Sequence, residues 1–209
     1  MAFLVFPHPY SPSATLVSMA KKNSKHAKDK EKESAATPAL VELDEHHIST
    51  TLYTYEHDGD HMSEGFGLEG AAQLAGQSAD GHSLVPEQMF KTLLIDIGER
   101  AGHDLATVIV PVTCHVNLKA AAAALGVKKA QMADPAVAQR QTGYVVGGIS
   151  PFGHKQKHPT VLDESALEFE EILVSGGKRG LSVGVNPLDI IDVLDARIAS
   201  VGAAGSHPR

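Results

Sequence analysis

Twelve histidines, one cysteine and a lysine set inside an apolar run are the residues of this 209-residue chain best placed by type to do chemistry. Zinc chemistry needs three or four ligands at set spacings. His46, His47, His57 and His61, beside Asp58 and Asp60, offer donor atoms, but no His-Glu-x-x-His pair and no Cys/His set occurs. They read as polar loop histidines, and neither metal nor other cofactor is expected. A serine nucleophile would sit on a G-x-S-x-G elbow, and Ser150 in "GISPF" does not. Cys114 follows a strand-like run, and its neighbour His115 points away from it along a strand, so a small buried thiol is expected. "SGGKRG" (Ser175 to Gly180) looks like a phosphate loop but lacks the first glycine of that motif, and Arg179 stands where Ser or Thr belongs. Lys91 in "MFKTLLI" is left with two roles open, an outward residue of an alternating strand or a cation aimed into a cleft.

The elements that must position these residues follow from pattern. Pro38 suits the first turn of a helix over "ALVELDEHH", and "STTLYTYEH" is β-branched and aromatic, as a strand requires. Residues 67–79 have helical spacing. "QMFKTLLIDI" and "LATVIVPV" read as adjacent strands across the hairpin-like "GERAGHD". "LKAAAAALG" is a helix stopped by Gly126, and "DPAVAQRQT" a second with Asp134 as cap and Pro135 in its first turn. "EEILVS" and "LSVGV" are strands around the glycine turn. A last helix is expected over "NPLDIIDVLDARIAS", capped by Asn186. Short strands mixed irregularly with short helices, without βαβ regularity, place the chain in the α+β class.

Apolar residues make up 43% and charged residues 21%, the profile of a globular domain with a real core. No apolar run is long enough to span a bilayer. A lone cysteine excludes an intramolecular disulfide and suits a reducing cytoplasm. Residues 21–34 hold six lysines against three acids, which leaves 12 basic and 22 acidic residues in 35–209. Nucleic acid could therefore be held only by a local cationic patch on an acidic body. Residues 1–35 are expected to be a disordered or over-extended segment ending in a lysine-rich arm, 36–203 the folded domain, and 204–209 a flexible tail.

Three blocks taken together, "FKTLLI", "MADPAVAQRQTGYVVGGISPFG" and "VSGGKRGL", with "YTYEHD" upstream, resemble the YbaK/EbsC family of trans-acting aminoacyl-tRNA editing proteins, in particular its Cys-tRNA(Pro) deacylases. The resemblance runs from about Thr37 to Val201. It implies a compact α+β domain, a mixed-sheet β-barrel surrounded by short helices, that hydrolyses the ester joining cysteine to tRNA(Pro). It also implies substrate-assisted chemistry, in which the cysteine thiol or terminal ribose hydroxyl of the substrate replaces a protein nucleophile. By resemblance Lys91 holds the terminal phosphate or ribose, with Thr92 beside it as a hydroxyl near the substrate. Gly147, Gly148 and Ile149 bring backbone N–H groups to the scissile carbonyl, and Ser150 adjoins them. Tyr55 and Phe66 line the pocket for the terminal adenine. Ser175, Gly176 and Gly177 form a second glycine turn, to which Lys178 and Arg179 add charge. His154, Lys155 and Lys157 follow as a cationic rim. The implied partners are the tRNA(Pro) acceptor end and prolyl-tRNA synthetase, with neither DNA nor membrane. Two departures bear on specificity. Ser182 stands where the family commonly has an acid, and the insert at Gln73 to Ser83 is long. Removal of alanine or serine from a tRNA, or tRNA binding without catalysis, are the alternatives.

Overall fold

The computed structural model describes residues 36–55, 72–74, 84–98 and 104–204. Four of the described helices are each set by a capping side chain. In α1 (Pro38–Glu45) the Thr37 hydroxyl accepts from the Leu40 amide at 3.3 Å, satisfying one of the unpaired N–H groups of the first turn. The same hydroxyl donates to the Gly176 carbonyl at 2.5 Å, so the helix start is also a tertiary anchor. Asn117 caps α2 (Leu118–Leu125), and Gly126 ends it at φ 74°. Asp134 accepts from both Ala136 and Val137 at the start of α3 (Pro135–Thr142), which stops at Gly143. Asn186 opens α4 (Pro187–Leu194). That last helix is shorter than the sequence suggests. Asp195 turns left-handed at φ 48°, and Arg197–Ala199 leave to become a strand. Pairing beside a central strand outweighs the helical continuation there.

The described strands form three sheets. β1 (Thr51–Thr54), β8 (Leu181–Val185) and β7 (Ile172–Ser175) make an antiparallel sheet in the order β1-β8-β7. A five-stranded sheet has the order β5-β2-β3-β6-β9, from β5 (Gln131–Met132), β2 (Phe90–Asp96), β3 (Leu105–Pro111), β6 (Thr160–Asp163) and β9 (Arg197–Ala199). The β2–β3 pair is antiparallel, as the hairpin reading expects. β6 and β9 are parallel additions that the sequence pattern does not reveal. β4 (Cys114–Val116) pairs with β10 (Gly202–Ala204). A bridge between Met89 and Leu173 joins the two larger sheets. The α+β class holds. No closed barrel forms among the described residues, and the pairing is of open sheets.

The main core fills the space between the sheets. Phe90, Ile109 and Leu162 meet Val174, Val183 and Val185 there, with Leu43, Ile190 and Phe152 closing the ends. On the outer face of the five-stranded sheet, Ile95, Val108, Val110 and Val161 pack on Ala121 and Leu125 of α2. β3 is therefore covered on both faces, which is why its sequence is apolar throughout except for the buried Thr107. Asp163 ties β6 to β10. Its carboxylate accepts from the amides of Val201 and Gly202 and from the amide and hydroxyl of Ser165. Burial alone would raise its pKa, but these four hydrogen bonds outweigh it and hold the group below its ordinary value. Among the described residues no helix is long and apolar enough to cross a membrane.

Gly153 shows how closely the segment after Ser150 is built onto α1. It has φ 68°, and a Cβ there would run into the carbonyl carbon of Pro38 and lie 2.6 Å from the Ala39 nitrogen. Gly153→Ala is expected to destabilise the fold by about 2–4 kcal/mol, since backbone must move and positive φ strains alanine. Urea denaturation checks this, and an unchanged midpoint would contradict it.

Candidate active site

The two glycine turns converge although 30 residues separate them in the chain. Gly148 abuts the backbone of Lys178 and Arg179, where a Cβ would stand 3.0 Å from the Arg179 nitrogen and 3.1 Å from Lys178 Cα. The Arg179 guanidinium reaches back and donates to the Val146 carbonyl from Nε at 3.1 Å and Nη2 at 2.8 Å. This forked contact clamps one turn on the other, a structural role for Arg179 that the sequence pattern does not show. Within the first turn the Gly148 amide donates to the Val145 carbonyl at 2.9 Å, and Gly147 takes φ 85°, a position that such turns reserve for glycine. The Gly148 N–H is thus engaged, contrary to the expectation that it faces an ester. Its contribution is the missing side chain. The amides of Gly147 and Ile149, by contrast, donate to no group among the described residues.

The second turn is held from three sides. The Gly176 amide donates to Leu181 O at 2.9 Å, and the Gly177 amide to the Ser175 hydroxyl at 3.3 Å. Gly177, at φ 93°, leaves no room for a Cβ against the Tyr144 ring and Thr37. The Tyr144 hydroxyl donates to Phe152 O at 2.8 Å. Burial foremost, then the charge of Glu42, pushes its pKa up to about 12, so it stays a donor. Gly180 meets β1, since the Tyr55 amide donates to its carbonyl at 3.0 Å. Tyr55 therefore stands at the edge of this turn, while Phe66 lies outside the described residues. Lys178 is exposed.

Lys91 stands on β2. The Met89–Leu173 bridge sets β2 parallel to β7, which runs on to Ser175, so the strands carrying Lys91 and Ser175 lie side by side. Lys91 pairs with Val110 and shares a face with Leu93 and Ile95; Thr92 pairs with Ile109 and faces the opposite way. Lys91 is half-buried, and its Nζ donates to the Val112 carbonyl at 3.3 Å. Burial, chiefly, lowers its pKa, opposed by the nearby Cys114. Cys114 is a free thiol, half-buried rather than buried. The Thr92 hydroxyl oxygen is buried and finds no hydrogen-bond partner among the described residues. Ile149 packs against the core groups that hold Phe90 and Leu94, on the Thr92 side of β2.

Two further expectations change. Ser150 is fully buried, and its hydroxyl accepts from the Phe152 amide at 3.3 Å. His154 is no part of a cationic rim at neutral pH. Its Nε2 donates to the Ser150 carbonyl at 2.6 Å. Burial, against weaker opposing effects, lowers its pKa to about 4. Lys155 and Lys157 are exposed, the stem of Lys155 lying over Gly143. The low value has a consequence for stability. Between pH 6.5 and about 4 the unfolded chain binds a proton at His154 that the folded chain refuses, so stability is full above 6.5, falls as pH drops from 6.5 to about 4, and levels off below. The loss is about 3 kcal/mol for His154 alone. His158, also lowered by burial, acts in the same sense. His154→Gln is expected to flatten the pH dependence of urea stability between pH 6.5 and 4, and an unaltered slope would contradict this origin.

With this geometry in view, comparison with known proteins decides the family. Residues 69–193 match the model of the aminoacyl-tRNA editing domain. The chain belongs to the aminoacyl-tRNA editing domain family. One relative, from Enterococcus faecalis (strain ATCC 700802 / V583), carries the name "Putative Cys-tRNA(Pro)/Cys-tRNA(Cys) deacylase EbsC". It is 30% identical over 172 residues, covering 82% of this chain and 96% of its own. Among solved structures, "a putative trans-editing enzyme for prolyl tRNA synthetase" aligns at TM-score 0.61 and 21% identity, over 79% of this chain and 95% of that one. "Hypothetical protein APE2540" aligns at TM-score 0.65 and 19% identity, over 79% and 99%. At these identities the two structures show the shared fold. The editing domain here thus brings its two glycine turns together, with Ile149 on the Thr92 side of β2 and Lys91 on the opposite face of that strand.

Proposed function

We propose that this protein is a trans-acting aminoacyl-tRNA deacylase whose substrate is cysteine esterified to tRNA(Pro). Family membership and the name of the Enterococcus relative support the reaction class and the substrate. The observation that carries the mechanism is the pair of amides at Gly147 and Ile149, which donate to no group among the described residues, on a turn that Arg179 clamps. Segments 144–153 and 175–180 contain no carboxylate, imidazole or thiol. Their working groups are backbone donors and the cations Lys178 and Arg179. Such an arrangement binds the oxygen of an ester carbonyl as charge develops on it, and removal of one such donor typically costs about 10²–10³ in rate. The substrate's own thiol or ribose hydroxyl serves as nucleophile, Lys91 holds the terminal phosphate or ribose, and Tyr55 stacks on the terminal adenine.

A physical need for such an enzyme exists. Cysteine and proline are close in size, and binding alone separates so small a difference by roughly 1–3 kcal/mol. A second reading, removal of alanine or serine, is favoured by one observation. Ser182, where the family commonly has an acid, is buried opposite Tyr53 and Ser175. The carboxylate on that face is instead that of Glu171, which accepts from the Tyr53 hydroxyl at 2.9 Å. Timed deacylation of Cys-, Ala- and Ser-tRNA(Pro) by purified protein separates the readings. Fastest release of cysteine is expected. Faster alanine or serine release would transfer the assignment, and tRNA binding without any release would overturn the enzyme reading.

A further inference from the structure

Behind the first glycine turn lies a cavity of about 150 Å³ that the deacylase reading does not use. α1 contributes Glu42 to its wall, the segment after Ser150 contributes His154, Lys157 and His158, and the end of α4 contributes Asp195. Val193 and Leu194 supply an apolar side. Both imidazoles have lowered pKa values and are neutral near pH 7, so the fixed charges are two carboxylates and one ammonium. The volume suits a molecule of about benzene size.

The lining discriminates among ligand classes. Among the described residues no cluster of three or more His, Cys, Asp or Glu is arranged to hold a metal ion. A free anion would meet Glu42 and Asp195. An apolar molecule would cover the half-buried Glu42 carboxylate without replacing its water and leave the exposed Asp195 and Lys157 charges unmatched. What fits is a small molecule carrying both signs. We propose that this cavity binds a free α-amino acid with a small side chain, its ammonium between Glu42 and Asp195, its carboxylate on Lys157, and its side chain against Val193 and Leu194. Both walls are bonded to the loop, Glu42 through the Gly153 amide and His154 through the Ser150 carbonyl, so occupancy bears on the segment that carries Gly147 and Gly148.

The test needs no tRNA, so its outcome is independent of the deacylase reading. Calorimetric titration of the whole protein with L-alanine, L-proline or reduced L-cysteine should give saturable binding in the millimolar range, with acetate and methylamine as single-charge controls. The ring signals of His154 and His158 in ¹H–¹³C spectra should move along the same saturation curve. Asp195→Asn, which tolerates the left-handed conformation at φ 48°, and Lys157→Gln should each weaken binding about tenfold, one lost charge contact's worth. No saturation by any amino acid up to roughly 50 mM, at which binding would be weaker than about 2 kcal/mol, overturns the proposal. So does equal binding of acetate or methylamine, or affinity unchanged in both variants.

Discussion

Gly148→Ala is expected to lower kcat/KM for deacylation about 100-fold while the protein still folds, because displacing a positioned group by about 1 Å costs on that order. The added methyl would sit 3.0 Å from the Arg179 nitrogen and 3.1 Å from Lys178 Cα, and these are backbone atoms that cannot swing aside. The turns must separate by several tenths of an ångström. That movement pulls Val146 from the Arg179 fork and re-aims the Gly147 and Ile149 amides. Gly148 itself is buried, but Val145 and Val146 of the same turn are exposed and outside the main core, so the circular dichroism spectrum and a cooperative melt should persist. Activity within about threefold of wild type would show that the packing of one turn on the other does not set the rate.

Lys91→Met is the second large effect, also about 100-fold in kcat/KM, in the range for removing one positioned electrostatic group. Methionine keeps most of the aliphatic stem and removes the charge. Stability separates a functional from a structural role here. Burial lowers the Lys91 pKa, so the folded state disfavours the charged form, and taking the charge away should leave the melting temperature unchanged or higher. Lost activity with retained stability would place Lys91 on the substrate. Lost stability, or full activity, would refute that role. Lys91→Arg should recover only part of the rate, since a planar fork does not reproduce a point charge.

Local elements were largely legible because their signals are local. Thr37-Pro38, Asp134-Pro135 and Asn186-Pro187 each combine a capping side chain with a first-turn proline, and each begins a helix. The run of β3, apolar except at Thr107, marks a strand covered on both faces. β6 and β9 were not legible, because a parallel pairing is fixed by partners far along the chain. The barrel expectation came from family likeness alone, and the described pairings stay open. At the site, glycine content pointed to the two turns but not to their contact. No residue pattern announces that Arg179 will hold the Val146 carbonyl across 33 positions, or that Thr37 will bind Gly176 across 139. His154 looked like a cation because exposure is invisible in sequence, and burial made it neutral.

The central claim is that the ester carbonyl is received by backbone amides rather than by a side chain. A stable analogue, 3′-cysteinylamino-adenosine with an amide in place of the ester, can be titrated into ¹⁵N-labelled protein. The Gly147 and Ile149 amide signals should move together to saturation, while the Gly148 signal, already bonded to Val145, moves less. Saturation by the analogue with the Gly147 and Ile149 signals unmoved would contradict the claim.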